Sequence, residues 1–572
     1  MKKQNILISL LSIACLVGCG GQPASKSNGG GDGSSEEQGP KADLVITDFG
    51  TVRIEAEDFN LDYWESDESY EGENVIEDNA ASGGKYLAAA DAELGNAEAS
   101  FSFELKKDSR VVVSGAYAQM ASQLNKAIDM AKTYDFVIES VSPLSFASGK
   151  STLKTRSSAT NFELMPYVYQ DLYAGVYNVT LTVNTDVEAC PAIDYLQFKT
   201  SDPSIVPVDP STITEADIPD NDMRNLQQYK YLMDDDVYSY KTYGSTSTSQ
   251  NYSAPRGMKL KYDDVESGSK YYVQVAESEA DLANARVRES NEKFYYFQNA
   301  KLGTKYYYRA ATSEAGLAAA KVYDITSTSQ APRVVSVPNV LNFRDIGGWE
   351  SSLVPGAKVN QGLYFRCAQL DAAQGSTSSA LDNAGEGLLA LKELGIKLDI
   401  DMRDKQNQPN SGNGPSKTST TDWPIDFLSV AVPSGSEPVR WEGGTYQGTN
   451  IADQYVKIFN ALAECDEKPA MLHCTYGADR TGIATFFLEA LIGMNMEDMI
   501  RDYLWTQFTP GRNVKILESD GAEFPQWVSK TNACEGATFA DKMENHLISF
   551  GIEKSTLEHI REIFVPGYVA QA

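Results

Sequence analysis

The chain has 572 residues, a formal net charge of −30 and a pI near 4.5. No basic stripe is present to neutralise phosphates, so the composition argues against nucleic acid and against electrostatic docking on anionic lipid. The length exceeds one hydrophobic core and suggests roughly three folded units at about 100–200 residues each.

Lys2 and Lys3 precede the apolar run Ile6–Val17, which is too short to cross a bilayer as a helix and reads as a secretory signal over residues 1–18. Residues 19–43 begin with a Gly/Ser/Glu-rich stretch suited to a flexible tether. Residues 44–202 alternate in short runs, at Val52–Ala56, Ala99–Leu105, Arg110–Ser114 and Tyr177–Val183, and predict a β-sandwich. Tyr63, Trp64 and Tyr70 could stack on a sugar or fill the core. Residues 203–252 are acidic and polar, and read as a linker with a short helix near Met223–Met233. Alternation resumes over 253–332, at Met258–Tyr262, Tyr271–Ala276, Lys293–Phe297 and Lys305–Ala310, as a second sandwich acting as a spacer. Over 333–572 helix-period stretches (Leu381–Leu394, Ile451–Cys465, Thr481–Met494, Met543–Phe550) alternate with strand-like Lys397–Met402 and Pro469–His473. That rhythm predicts an α/β layer. The fold class is therefore multidomain: two N-terminal β-sandwiches followed by an α/β domain.

The seven cysteines show no CxxC and no regular spacing, and the three histidines cannot build a His-rich metal cluster. No GxSxG surrounds a serine, which argues against a Ser-His-Asp triad. One histidine sits in HCTYGADRTG, residues 473–482, between a predicted strand and a predicted helix. A strand, a tight loop and a helix N-terminus make an anion cradle from the backbone amides of Thr475, Tyr476, Gly477, Ala478, Asp479 and Arg480. Gly477 permits close backbone approach, and Arg480 offers a planar fork for two phosphoryl oxygens. The same field lowers the pKa of a thiol, so Cys474 is predicted to be a thiolate nucleophile. His473 would hold and polarise it from behind, and Thr481 would give a hydroxyl to the sulfur as it leaves.

His-Cys-x5-Arg-Thr resembles the signature of the cysteine-dependent protein tyrosine phosphatase superfamily. Asn342-Phe343-Arg344-Asp345-Ile346-Gly347-Gly348, Leu363-Tyr364-Phe365-Arg366 and Asp401-Met402-Arg403-Asp404 resemble its bacterial tyrosine phosphatase-like branch, over about residues 336–567. The resemblance implies two-step hydrolysis of a phosphomonoester through a phosphocysteine, with no metal or other cofactor for catalysis. For the general acid it implies Asp479 first and Asp401 second; the alternative for Asp479 is an ion pair with Arg344 or Arg403. Asp404 ends the same strand as Asp401. Trp423-Pro424-Ile425-Asp426 lies too far upstream of Cys474 and reads as a turn. Ala478 stands where relatives acting on phosphoinositides tend to carry Lys, which favours phosphotyrosyl or other simple monoesters over inositol phosphates or phosphosugars. Cys367 stands where relatives carry Ser, and either forms a reversible disulfide with Cys474 or is a buried core thiol.

Other resemblances address the N-terminal half. Leu16-Val17-Gly18-Cys19 is similar to the lipobox of bacterial lipoproteins, which implies lipidation at Cys19 and an extracytoplasmic protein anchored to a membrane by lipid; a plain signal peptide with a chance cysteine is the alternative. Ile54-Glu55-Ala56-Glu57-Asp58-Phe59, Ser82-Gly83-Gly84-Lys85-Tyr86-Leu87 and Ile193-Asp194-Tyr195-Leu196 resemble jelly-roll carbohydrate-binding modules. This implies a glycan partner and a structural calcium on Glu55, Glu57 and Asp194, unless those carboxylates are merely solvated. Leu302-Gly303-Thr304-Lys305-Tyr306 resembles the tyrosine corner of fibronectin type III domains. A different class remains open: a catalytically silent glycan-binding adhesin.

Overall fold

The computed structural model describes residues 42–570 except 68–69, 79–80, 82, 92–96, 119–127, 147–151, 154–161, 185–189, 205–208, 235–238, 248–249, 371–384, 405–422 and 511–522. Cys19, the signal and the tether to residue 41 lie outside the described residues, as do the first four residues of the helix expected from Leu381. Among the described residues no helix is long and apolar enough to cross a membrane.

The first unit is two packed sheets. In Glu98–Leu105 every second residue is buried, so Ala99, Phe101, Phe103 and Leu105 face inward. That strand lies between Leu44–Ile46 and Gly175–Val183, with Tyr134–Ile138 beyond. The facing sheet is built on Ser109–Ala118 and Ala192–Ser201, and Gly50–Glu55 pairs with the latter. Trp64 is core: its indole N–H donates to Ala88 O and its ring stacks on Tyr134. Tyr70 packs against Tyr86, leaving Tyr63 as the exposed member of the three aromatics.

The stretch read as a linker is packed where it is described. Asn225 Oδ1 accepts from the amides of Gln227 and Gln228 and starts the helix Leu226–Met233. Tyr231, fully buried, lies against Trp505 and Phe508. The amides of Ser245 and Tyr252 donate to Gln507 O and Phe508 O. The expected spacer is equally well docked. Its tyrosines Tyr262, Tyr271, Tyr306 and Tyr308 share one core cluster with Trp349 and Tyr364 of the C-terminal unit. Gln361 bonds both the N–H and the carbonyl of Leu302. The Tyr306 hydroxyl accepts from the Lys301 amide at 2.8 Å, closing the corner on its own chain.

In the C-terminal unit a six-stranded sheet runs Arg333–Val334, Arg344–Asp345, Tyr364–Cys367, Ala470–His473, Leu398–Asp401, Asp426–Ser429. The last four are mutually parallel, and the first two pair antiparallel. Helices lie against both faces. Ile451–Leu462 buries Ile451, Tyr455, Ile458, Phe459 and Leu462, a single helical stripe. Asp426 opens the edge strand opposite Leu398, at the amino end of the parallel strands, and pairs with Lys468. His473 and Asp401 sit at the carboxyl end, where open α/β sheets bind ligands.

The sandwich docks on this unit through Gln197 and Lys199, which both donate to Glu497. A cavity of about 580 Å³ remains between the two, walled by Arg53, Glu55 and Asp194 on one side and Met494, Phe524 and Phe539 on the other. Glu55 and Asp194, two of the three carboxylates expected to share a calcium, line this cavity. Among the described residues no three His, Cys, Asp or Glu side chains converge to hold a metal. Glu55 pairs with Arg53 at 2.9 Å, whose guanidinium lies over Tyr195.

Candidate active site

Ala470–His473 is a central, fully buried strand, and it delivers Cys474 to the N-terminus of the buried helix Arg480–Leu491. The loop between them owes its shape to donors outside it. Four consecutive loop carbonyls are engaged. His473 Nδ1 lies 3.3 Å from Cys474 O, the Gln369 amide donates to Thr475 O at 3.1 Å, and Asn342 Nδ2 donates to Tyr476 O at 3.0 Å and Gly477 O at 3.2 Å. Arg366 Nη2 adds a 2.9 Å bond to Gly477 O. Across a planar trans peptide a carbonyl and the following N–H point in opposite directions. Turning those four carbonyls outward therefore turns the amides of Thr475, Tyr476, Gly477 and Ala478 toward the cradle. Gly477 has φ +68°, and a Cβ there would fall 2.2 Å from Cys367 O, so only glycine fits.

Cys474 is buried, which raises its pKa, but the Arg480 charge and the Thr481 hydroxyl and amide outweigh this and bring the thiol down to about 7. The Thr481 hydroxyl is itself buried without a hydrogen-bond partner of full geometry, which leaves its proton available to the sulfur. The Arg480 guanidinium is held at the cradle by Val432 O at 2.9 Å, Met402 O at 3.3 Å and Asp404 at 3.4 Å, and by Thr475 Oγ1 at 3.3 Å. Asp404 in turn accepts from the amide and hydroxyl of Ser434.

His473 lies between two carboxylates, with Nε2 3.0 Å from Asp399 and Nδ1 3.9 Å from Asp401. Burial opposes its charge, yet Asp401 and Asp399 raise its pKa to about 9, so it is an imidazolium at neutral pH. Both ring nitrogens then carry protons. Nε2–H donates to Asp399 and Nδ1–H to Cys474 O, which fixes the nucleophile's own peptide. This accounts for a histidine before the cysteine.

Asp401 is unsuited to the role of proton donor. It accepts from Arg403 Nε and Nη2 and from the Arg403 amide. Against the effect of burial, His473 and Arg403 hold its carboxyl below the usual range. Asp479 is the N-cap residue of the Arg480 helix, and its charge acts on the Cys474 thiol. Arg344, offered as a partner for Asp479, is committed to Asp502. Arg403 forks Asp401. Cys367 and Cys474 are both free thiols. Cys367 packs with Phe343, Phe365 and Met471 on one face of the sheet, Cys474 with Leu472 and the cluster on the other. A disulfide between them would require that strand end to turn over. Burial pushes the Cys367 thiol well up, as in a core cysteine.

Sequence reasoning did not find Gln369, Asp399, Val432, Ser434 or Asp502. None lies in a local pattern; each is brought in by sheet order or by a distant helix.

The fold and the loop define an α/β unit with an anion cradle around a low-pKa thiol. Comparison with known proteins agrees. Residues 335–562 match the model of the tyrosine phosphatase family. A tyrosine-protein phosphatase of Nostoc commune is 26% identical over 127 residues, which is 20% of this chain and 41% of that protein. A protein of Cupriavidus necator is 25% identical over 193 residues, 31% of this chain and 66% of that one. The chain thus spans less than half the length of the Nostoc relative. Among solved structures, a family 35 carbohydrate-binding module from Cellvibrio japonicus is 16% identical, covers 27% of this chain and 89% of its own, and gives a TM-score of 0.17. One from Clostridium thermocellum is 12% identical, covers 26% and 96%, and gives 0.19.

Proposed function

We propose that this protein is an extracytoplasmic phosphomonoesterase, tethered by lipid at Cys19, that works through a phosphocysteine on Cys474. The observation that carries the reading is the placement of Cys474 between a strand end and a helix N-terminus, with Arg480 beside it and the loop carbonyls held outward. In the first step the Cys474 thiolate attacks phosphorus and the P–O bond to the leaving group breaks. Asp479 gives its proton to the departing oxygen. Arg480 and the amides of residues 475–478 hold the equatorial oxygens as charge redistributes. In the second step water attacks phosphorus, Asp479 takes a proton from it, and the S–P bond breaks. The Thr481 hydroxyl stabilises the returning thiolate. No step requires a metal.

Ala478 brings no second cation to the cradle, which favours phosphotyrosyl and other simple monoesters over densely charged inositol phosphates. Tyr476, about half exposed at the rim, offers a face for an aromatic leaving group. The names of the phosphatase relatives support the same substrate class. The N-terminal sandwich is proposed to target a glycan, on the strength of its sequence resemblance, with Tyr63 as its exposed aromatic.

Hydrolysis of a chromogenic aryl phosphate with chelator present, beside Cys474→Ser, tests the catalytic reading. Activity lost only in the variant supports it. Equal inactivity of both would favour a silent adhesin. A glycan array with the full chain tests the targeting role, and silence across it would leave only a docking domain.

A further inference from the structure

The donors that turn the loop carbonyls outward are themselves held by one buried carboxylate. Asp502, on the helix Met496–Trp505, is fully buried, as are Arg344 and Arg366. Asp502 Oδ1 accepts from Arg344 Nε at 2.7 Å and Oδ2 accepts from Arg366 Nη1 at 2.5 Å. From there two arms lead to the same place. Arg366 Nη2 donates to Gly477 O. Arg344 Nη1 donates to Asn342 Oδ1 at 2.6 Å, which orients that amide so that its Nδ2 reaches Tyr476 O and Gly477 O. Arg344 Nη2 also binds Asp502 O at 2.8 Å, so the guanidinium is gripped by backbone and side chain of one residue. Glu489, buried on the cradle's own helix, packs its carboxyl against Asp502, with one oxygen lacking a partner.

We propose that Asp502 is a positioning residue for phosphoryl transfer: through Arg366 and the Arg344–Asn342 pair it sets the carbonyls of Tyr476 and Gly477, and so the amides that receive the phosphoryl oxygens. It touches neither sulfur nor substrate. The alternative is plain structural support. A buried carboxylate between two buried arginines is costly to remove from a fold built around it, because the guanidinium charges lose their partner. The two roles separate on the geometry. Support alone changes stability; positioning also changes the field at Cys474. The proposal deepens the phosphatase reading, and its first readout needs no substrate.

The test uses the full chain with Asp502→Asn, which keeps the shape and removes the charge. Alkylation of Cys474 by iodoacetamide is followed against pH, with the modified cysteine identified by peptide mass. Loss of the Asp502 charge alone would lower the midpoint, whereas loss of the inward amides raises it, so positioning predicts a rise of about one unit and alkylation slowed several-fold below neutrality, and a fall overturns it. On an aryl phosphate kcat is expected to fall by tenfold or more, short of the roughly hundredfold or greater loss of a whole oxyanion donor, with KM changed less. An unchanged midpoint and kcat overturn the proposal, whatever happens to the melting temperature. If Asp502→Asn does not fold, Arg366→Lys combined with Asn342→Ala carries the test, since together they remove both arms from Tyr476 O and Gly477 O; a wild-type midpoint and kcat there overturn the proposal equally. A shifted midpoint in a protein that hydrolyses no phosphate ester would sustain the positioning role while the phosphatase reading fails.

Discussion

Replacing Gly477 with alanine perturbs the cradle by one methyl group. The new carbon would sit 2.2 Å from Cys367 O and 2.5 Å from its carbonyl carbon. Ordinary contact needs more than 3 Å, so the loop and the end of Tyr364–Cys367 must separate by roughly 1 Å. The φ of +68° adds the left-handed penalty of about 1–2 kcal/mol for an L-residue. The strand end cannot give easily, because Cys367 pairs with His473 in the sheet and is itself fully buried. The loop is therefore the part that moves, and it carries Tyr476 O and Gly477 O off Asn342 and Arg366. A displacement of about 1 Å at reacting groups can cost on the order of a hundredfold in rate. Gly477→Ala is expected to lower kcat for an aryl phosphate by about that factor, with a melting temperature reduced by only a few degrees. Steady-state kinetics beside a thermal melt checks it. A variant with wild-type kcat would show that the amide ring does not govern catalysis, and the description of the cradle would fall.

Other expectations follow from the same residues. Asp479→Asn should slow hydrolysis of alkyl or phenyl phosphate by about a hundredfold and that of p-nitrophenyl phosphate far less, because a good leaving group needs no proton; equal losses on both would remove Asp479 as the acid. Asp401→Asn should show no such difference between poor and good leaving groups, since Asp401 is already committed to Arg403 and His473. The His473 pKa is raised in the fold from 6.5 to about 9, so its stabilisation is complete below pH 6.5 and is lost as pH rises through 9. The gain is on the order of 3 kcal/mol, and thermal melts from pH 6.5 to 9 should show it in wild type and not in His473→Asn. Tyr231→Ala should destabilise the C-terminal unit by about 3–5 kcal/mol in denaturant titration. A loss near zero would return residues 203–252 to the status of a linker.

The loop 473–482 was legible because strand, nucleophile, arginine and helix follow one another in the chain, and proximity in sequence there equals proximity in space. The motifs around Asn342 and Arg366 were legible as motifs but not as functions. Their bonds to the loop cross 135 and 111 positions, and nothing local says that both end on Gly477 O. Asp502 was not legible: on a helix one buried aspartate among polar neighbours looks like a solvated face until Arg344, 158 positions away, is seen against it. The stretch 203–252 misled through its acidic composition. The short helix expected near Met223–Met233 is present at Leu226–Met233; what the composition hid is its docking, through Tyr231, on Trp505 and Phe508.

In the proposed reaction a phosphoryl group passes through the sulfur of Cys474. The most direct measurement is an acid quench of the full chain during turnover of an aryl phosphate, followed by peptide mapping by mass spectrometry. The account predicts one added phosphoryl group on the peptide bearing Cys474, none after Cys474→Ser, and accumulation when Asp479→Asn is quenched with p-nitrophenyl phosphate. Turnover with an unmodified Cys474, or undiminished turnover by Cys474→Ser, would contradict it.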